Sequence, residues 1–167
     1  LPFFLGLLDH LAAAGCPVPR TIHDRHGAAF RMRPNEAGGE KALALIEFLP
    51  GVSVDQPSAA QARGVGAALA GIHLAAQDFA MARANALGPA GWETLAAACG
   101  DHWDAIDPAL GTLVARELAA VLRDWPTGLP SGAVHADLFP DNVLMRGDVV
   151  SGLIDFYFAC DDAFAYD

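Results

Sequence analysis

The sequence predicts an α/β (α+β) fold in which a few short strands frame a polar loop and helices supply most of the wall around it. Three observations predict it. Apolar residues recur at helical spacing in Leu1–Ala14, in Ser58–Ala76 and in Asp107–Trp125. Short apolar runs stand between them, at Ala42–Leu49 and on either side of Arg146-Gly147-Asp148. A chain of 167 residues with 53% hydrophobic content is long enough to bury a core and lies in the globular range of composition.

Leu1, Phe4, Leu5, Leu8 and Leu11 form one apolar stripe, with Pro2 suited to a first turn and Gly15 to the residue past the helix end. Cys16-Pro17-Val18-Pro19 then forces extended backbone. Thr21–Phe30 reads as strand, turn and strand with Arg25-His26-Gly27 at the tip. His23 and His26 lie there without a clear set of further metal ligands, so they read as parts of a solvated tip. Arg31–Glu40, with Gly38-Gly39, reads as a loop, and Ala42–Leu49 as a short buried strand stopped by Pro50-Gly51. Lys41, the lone lysine, is assigned to the surface.

Ser58 and Gln61 make a capping box that opens a helix with a stripe at Ala62, Val65, Leu69, Ile72 and Ala76. His73 beside that stripe reads as a hydrogen-bonded structural histidine. Asp78–Gly91 is a connector with little pattern, and Trp92–Ile106 is helical with an interruption at Gly100. Asp107-Pro108 is expected to cap the next helix, with Pro at its first position and Pro126 ending it.

The chemistry concentrates in His135-Ala136-Asp137-Leu138-Phe139-Pro140-Asp141-Asn142, followed thirteen residues later by Asp155-Phe156. The spacing matches the protein-kinase template H-R-D-L-x-x-x-N and D-F-G, with Ala136 in place of the Arg and Tyr157 in place of the Gly. With 6 His, 15 Asp and 3 Asn in the chain, chance supplies on the order of 0.01 matches to H-x-D-x-x-x-x-N. Phosphoryl transfer needs a carboxylate to accept a hydrogen bond from the attacking hydroxyl, and oxygen ligands to hold magnesium on the phosphates. Asp137 is the candidate for the first task; Asn142 and Asp155 are the candidates for the second. The segment between those two reads as a β-hairpin, which returns Asp155 beside Asn142. His135 reads as a brace for the loop.

These residues, together with Gly152-Leu153-Ile154-Asp155-Phe156-Tyr157-Phe158-Ala159-Cys160, resemble the aminoglycoside phosphotransferase and choline kinase-like superfamily, and within it the homoserine kinase family. The resemblance extends more weakly to Leu1–Pro19 and Leu45–Gly51. It implies a protein-kinase-like two-lobe fold: residues 1–49 as the remainder of a small nucleotide-binding lobe, and 50–167 as a mostly helical catalytic lobe. It implies ATP and Mg2+ as cofactors, a cytoplasmic location, and transfer of phosphate to the hydroxyl of L-homoserine for threonine synthesis. Glu47, Phe48 and Leu49 would lie at the adenine edge, and Asp167 would brace the catalytic loop. Asp161 and Asp162 either face a substrate ammonium group or cap a following helix. The family's helix glutamate has no counterpart in Leu1–Ala14, where Asp9 is the one acid. Its Gly-rich strands with their phosphate-binding lysine are expected upstream of Leu1, and its C-terminal helices downstream of Asp167.

Two rival readings share these residues: a kinase of the superfamily acting on an aminoglycoside, a choline-like alcohol or a sugar, and a non-catalytic scaffold of the same fold. Net charge is −10 and the pI about 4.8, which argues against nucleic acid as a partner. No apolar run reaches membrane-spanning length, and the opening Leu-Pro-Phe-Phe is not a signal peptide. Three widely spaced cysteines form neither a disulfide framework nor a zinc pattern, in keeping with a reducing compartment.

Overall fold

Helix α1 (Pro2–Ala13) contributes to the hydrophobic core of the computed structural model, which describes residues 1–36 and 38–167. It buries Phe3, Leu5, Leu7, Leu8 and Leu11, a wider face than the expected stripe; Leu1 is exposed and Phe4 half-buried. The reason is that neighbours cover α1 from several directions. Phe79 meets the ring of Phe3 edge-on at 5.5 Å, and Thr21 donates its hydroxyl to the Leu5 carbonyl. Gly15 ends the helix at φ 80°, with N–H groups of Gly15 and Cys16 returning to the carbonyls of Ala12 and Leu11. That is the left-handed stop that glycine accepts without strain.

The next segment departs from expectation. Thr21 pairs with Ile46 in a single bridge, and no strand follows it before Arg31. Asp24 explains this: its Oδ1 accepts from the N–H groups of His26 and Ala28 and closes a local turn. Such side-chain bonds compete with a strand ladder. The ladder forms later, where a loop was expected: β1 (Arg31–Pro34) pairs antiparallel with β2 (Glu40–Leu43). Both strands are exposed throughout, so backbone pairing and the Asn35–Gly39 turn hold them rather than apolar burial. Ala37 lies outside the described residues. The expected buried strand over Ala42–Leu49 is corrected accordingly: regular pairing stops at Leu43, and Leu45 and Phe48 are exposed.

The capping box forms as expected. Ser58 accepts from the Gln61 N–H, Gln61 accepts from the Ser58 N–H, and α2 (Ala59–Ala75) follows. Ile72 and Ala76 are buried, Val65 and Leu69 half-buried, and Ala62 exposed. At Gly64 the helix approaches a β-hairpin, where a Cβ would lie 3.5 Å from the Asp148 carbonyl. That hairpin is β4 (Val143–Arg146) with β5 (Val149–Leu153), turning at Gly147 with φ 62°. A second antiparallel pair joins β3 (Ser131–Val134) to β6 (Cys160–Ala163). The core of these elements centres on Leu11, Ile72, Leu153 and Phe156, all nearly inaccessible.

The chain forms two compact units, one of Leu1–Arg83 with Ser131–Asp167 and one of Ala84–Pro130. The expected lobe boundary after Leu49 falls inside the first. The second unit holds α3 (Pro89–Cys99), a 3-10 segment at Gly100–Ala105, and α4 (Leu110–Asp124). Gly100 interrupts the helix at φ 51°. Trp92 and Trp125 meet edge-on at 5.0 Å. Helix α4 starts later than expected, after Ala109. Asp107 accepts from the Ala109 N–H and closes a turn before the helix instead of capping it.

Candidate active site

Strand β3 delivers the chain to His135, which is fully buried. Ala136 then takes a left-handed conformation, φ 65°, which costs a non-glycine residue about 1–2 kcal/mol. The carboxylate of Asp167 holds it there. One oxygen accepts from the Ala136 N–H at 2.6 Å; the other accepts from the His135 N–H at 2.9 Å and from His73 Nε2 at 2.8 Å. The Asp167 side chain is 1% exposed, so these donors stand in for water. His73 stacks on Phe164 with ring centroids 4.5 Å apart, fixing its own orientation.

The His135 ring has one consistent protonation state. The Asp137 N–H points at Nδ1, which must therefore be the acceptor; Nε2 then carries the proton and donates to the Ile154 carbonyl at 2.9 Å. Burial pushes its pKa below the ordinary value of 6.5, partly opposed by the Ile154 carbonyl and the charge of Asp167. Through these two bonds the ring joins the loop to the end of β5.

Asn142 is oriented by the same kind of argument. Its amide nitrogen donates to the Asp137 carbonyl at 2.7 Å and lies 3.3 Å from the Asp137 carboxylate. A carbonyl accepts and never donates, so the NH₂ must face it and the amide oxygen is left for another partner. The Ile154 N–H donates to the Asn142 carbonyl, closing the hairpin so that Asp155 follows directly at its open end. Asp155 is exposed, with φ 63° and ψ 56°. Of the sequence-predicted trio, Asn142 is bonded to Asp137, and Asp155 follows the Ile154 N–H that closes on the Asn142 carbonyl. An open hollow of about 220 Å³ borders Asp137 and is lined also by Leu138, Phe139 and Tyr166.

The set fits magnesium. One neutral amide oxygen and one carboxylate match its preference for few protein oxygens, with phosphate and water completing the octahedron. No cluster of three or more His, Cys, Asp or Glu side chains that would cage a metal exists among the described residues. His23, read from the sequence as part of a solvated tip, bonds Asp9 at 2.7 Å and the Gly27 carbonyl.

Glu47, Phe48 and Leu49 lie apart from one another in role. The Glu47 carboxylate grips the Arg20 guanidinium at 3.1 and 3.2 Å, and its N–H donates to the Arg20 carbonyl. Phe48 is 94% exposed. Leu49 packs over the hairpin, where a Cβ on Gly152 would come within 2.7 Å of it. Asp161 and Asp162 lie on β6, opposite Ala133 and Gly132. The helix-capping alternative for them is corrected: the next turn, Phe164–Tyr166, starts from Ala163 without a side-chain cap. Sequence reasoning missed Arg83. Its Nη1 donates to the carbonyls of Tyr157 and Ala159, beside Asp155, but it stands in a connector with no periodic pattern to mark it.

A family model described as "Phosphotransferase enzyme family" matches residues 1–167. The chain belongs to that family. It is 48% identical over all 167 residues to a homoserine kinase of Xanthobacter autotrophicus, and 50% identical to one of Acidiphilium cryptum. The match takes in 50% and 51% of those proteins, so the chain spans about half the length of the curated relatives it matches. Among solved structures it resembles an amicoumacin kinase in complex with AMP-PNP, Ca2+ and Ami, with TM-score 0.74 and 18% identity over 98% of this chain and 49% of that one. It also resembles an aminoglycoside-3′-phosphotransferase of type VIII, with TM-score 0.60 and 24% identity over 97% of this chain and 59% of that one. The phosphotransferase fold is therefore the kinase-like one expected, with part of a small lobe present. No described helix is long and apolar enough to cross a membrane.

Proposed function

We propose that the protein containing this chain transfers the γ-phosphate of ATP to the hydroxyl of L-homoserine, giving O-phospho-L-homoserine for threonine biosynthesis. The observation that supports phosphoryl transfer is the bonding of Asn142 to Asp137, with the Ile154 N–H on the Asn142 carbonyl so that Asp155 is the next residue at the open end of the same hairpin. The acceptor follows from the homoserine kinases that match the whole chain at 48–50% identity.

Asp137 orients the acceptor hydroxyl and takes up its proton as the bond to phosphorus forms. Asn142, through its amide oxygen, and Asp155 would hold Mg2+, which supplies charge neutralisation on the phosphates. His135 and Asp167 keep the loop in the shape that presents Asp137. The adenine edge is read by backbone near Phe48 and Leu49, whose N–H and C=O groups have no hydrogen-bond partner among the described residues. Glu47 contributes its carbonyl at most, because Arg20 occupies its carboxylate. Asp161 and Asp162 are candidates for the substrate ammonium group. Residues 1–49 serve the nucleotide side and 50–167 the catalytic side. The cytoplasm, with its ATP and reduced thiols, suits an enzyme with three free cysteines.

The test is ADP release by the full-length protein with ATP and Mg2+, comparing L-homoserine, choline, an aminoglycoside and no acceptor. The expected result is a homoserine-dependent rate that Asp155→Asn abolishes, and that Asp137→Ala lowers by about 100-fold or more without matching loss of ATP binding. A rate that depends on another acceptor, or on none, refutes the reading.

A further inference from the structure

An α-amino acid acceptor carries a carboxylate, and recognising it calls for a cation beside the reacting centre. The chain has ten Lys and Arg residues, and four of the arginines pair with carboxylates elsewhere. Arg20 pairs with Glu47, Arg31 with Asp24, Arg116 with Glu117 and Arg123 with Asp124. Arg83 alone, among the Arg and Lys of the described residues, hydrogen-bonds to the stretch that follows Asp155. Its Nη1 donates to the Tyr157 carbonyl at 2.7 Å and to the Ala159 carbonyl at 3.2 Å.

The backbone of Arg83 is fixed as firmly. Its N–H donates to Asp161 Oδ2 at 2.6 Å, and its carbonyl accepts from the Asp161 N–H at 2.7 Å. Yet the guanidinium and the Asp161 carboxylate form no ion pair, and Nε and Nη2 of Arg83 have no partner among the described residues. Those two nitrogens are one edge of the guanidinium fork, whose parallel N–H groups match the two oxygens of a carboxylate. Carbonyl tethers on Nη1 hold the fork still, which lowers the entropy that binding must overcome.

We propose that Arg83 binds the α-carboxylate of the acceptor through its Nε and Nη2 groups. This assignment rests on the homoserine kinase reading. It makes Arg83 the residue that separates amino-acid alcohols from plain amino alcohols at this site.

The experiment compares L-homoserine with aminopropanol, its analogue that keeps the hydroxyl and the ammonium group but lacks the carboxylate. Full-length wild type, Arg83→Gln and Arg83→Lys are assayed with saturating ATP and Mg2+. Arg83→Gln is expected to lose about 100-fold in kcat/KM on homoserine, mainly in KM, while its aminopropanol activity changes by about 3-fold or less. Arg83→Lys, which keeps the charge but not the fork, is expected to fall between, and serves if the Gln variant folds poorly. Equal losses on both acceptors would show that Arg83 only braces the loop after Asp155, and would overturn the assignment while leaving the homoserine reading intact. A wild-type enzyme that uses aminopropanol as well as homoserine would overturn the Arg83 assignment alone; one that uses neither would overturn both.

Discussion

Asp167→Ala tests whether one buried carboxylate holds the catalytic loop. The change removes the acceptor for the N–H groups of His135 and Ala136 and for His73 Nε2. The two backbone donors lie in a loop whose anchor is 1% exposed, so each stranded N–H costs about 1–3 kcal/mol. His73, 13% exposed at its side chain, recovers part of its loss from water. Loss of the anchor also releases Ala136 from its left-handed conformation, so the cost appears as loop disorder as well as lower stability. The total comes to about 4 kcal/mol, a large share of the ~5–15 kcal/mol of an ordinary domain. Asp167→Asn keeps one acceptor oxygen but turns an NH₂ toward the remaining donors, for about 2 kcal/mol. Urea unfolding of the full-length protein measures both, and amide hydrogen exchange at His135 and Ala136 localises the effect. A change below ~1 kcal/mol for Asp167→Ala, with unchanged exchange at those two amides, would refute the reasoning.

Further expectations concern pH, packing and the nucleotide side. The folded pKa of His135 lies below its unfolded value because of burial, so the unfolded chain binds more protons and stability falls as pH drops below about 6.5. His23 acts in the opposite sense: bonds to the Gly27 carbonyl and Asp9 raise its pKa, so its contribution is present below 6.5 and fades as pH rises. Chemical denaturation of His23→Gln across that range should therefore show a steeper rise of stability with pH than wild type. Asp24, held down to about 2 by the Ala28 N–H and Arg31, adds a second acid loss, present above its ordinary 3.8 and gone as pH falls through about 2; Asp24→Asn should remove that limb of the titration. Phe156→Ala, at a fully buried ring 4.4 Å from His135, should cost about 3–5 kcal/mol in the same assay. Gly152→Ala places a methyl within 2.7 Å of Leu49, so overpacking of about 1–3 kcal/mol should come with a higher KM for ATP and an unchanged KM for the acceptor.

The parts of this molecule that were legible in the sequence are those where a local rule acts alone. The capping box at Ser58 and the glycine stop at Gly15 each depend on a few adjacent residues, and both form as read. The hairpin between Asn142 and Asp155 was legible because two apolar runs flank a Gly turn, whereas the register shift between Leu144 and Met145 was not. What escaped depends on competition between local bonds, on pairing without burial, or on partners distant in sequence. The role of Asp24 as a turn-former, which displaced the expected hairpin, is set by a competition between side-chain and ladder bonds that composition does not decide. The strands over Arg31–Leu43 carry no burial signal at all, because both faces are exposed.

Arg83 is the sharpest case of a distant partner. Its bonds join positions 74 to 78 residues apart, so no spacing pattern could reveal them. Its Nη1 and backbone are occupied by the very stretch that carries Asp155 and Asp161. The acidic pair was visible as a substrate candidate from its chain position, whereas its complement needed the fold. An acceptor with opposite charges on one carbon requires both signs side by side without an ion pair between them, and the Arg83–Asp161 clasp supplies that arrangement: the Arg83 N–H donates to one Asp161 carboxylate oxygen and the Asp161 N–H donates to the Arg83 carbonyl, while no ion pair joins the guanidinium to the carboxylate. A clasp that served stability alone would gain by letting those charges meet. Their separation is the feature that favours recognition, and the contrast between homoserine and aminopropanol is the measurement that isolates it.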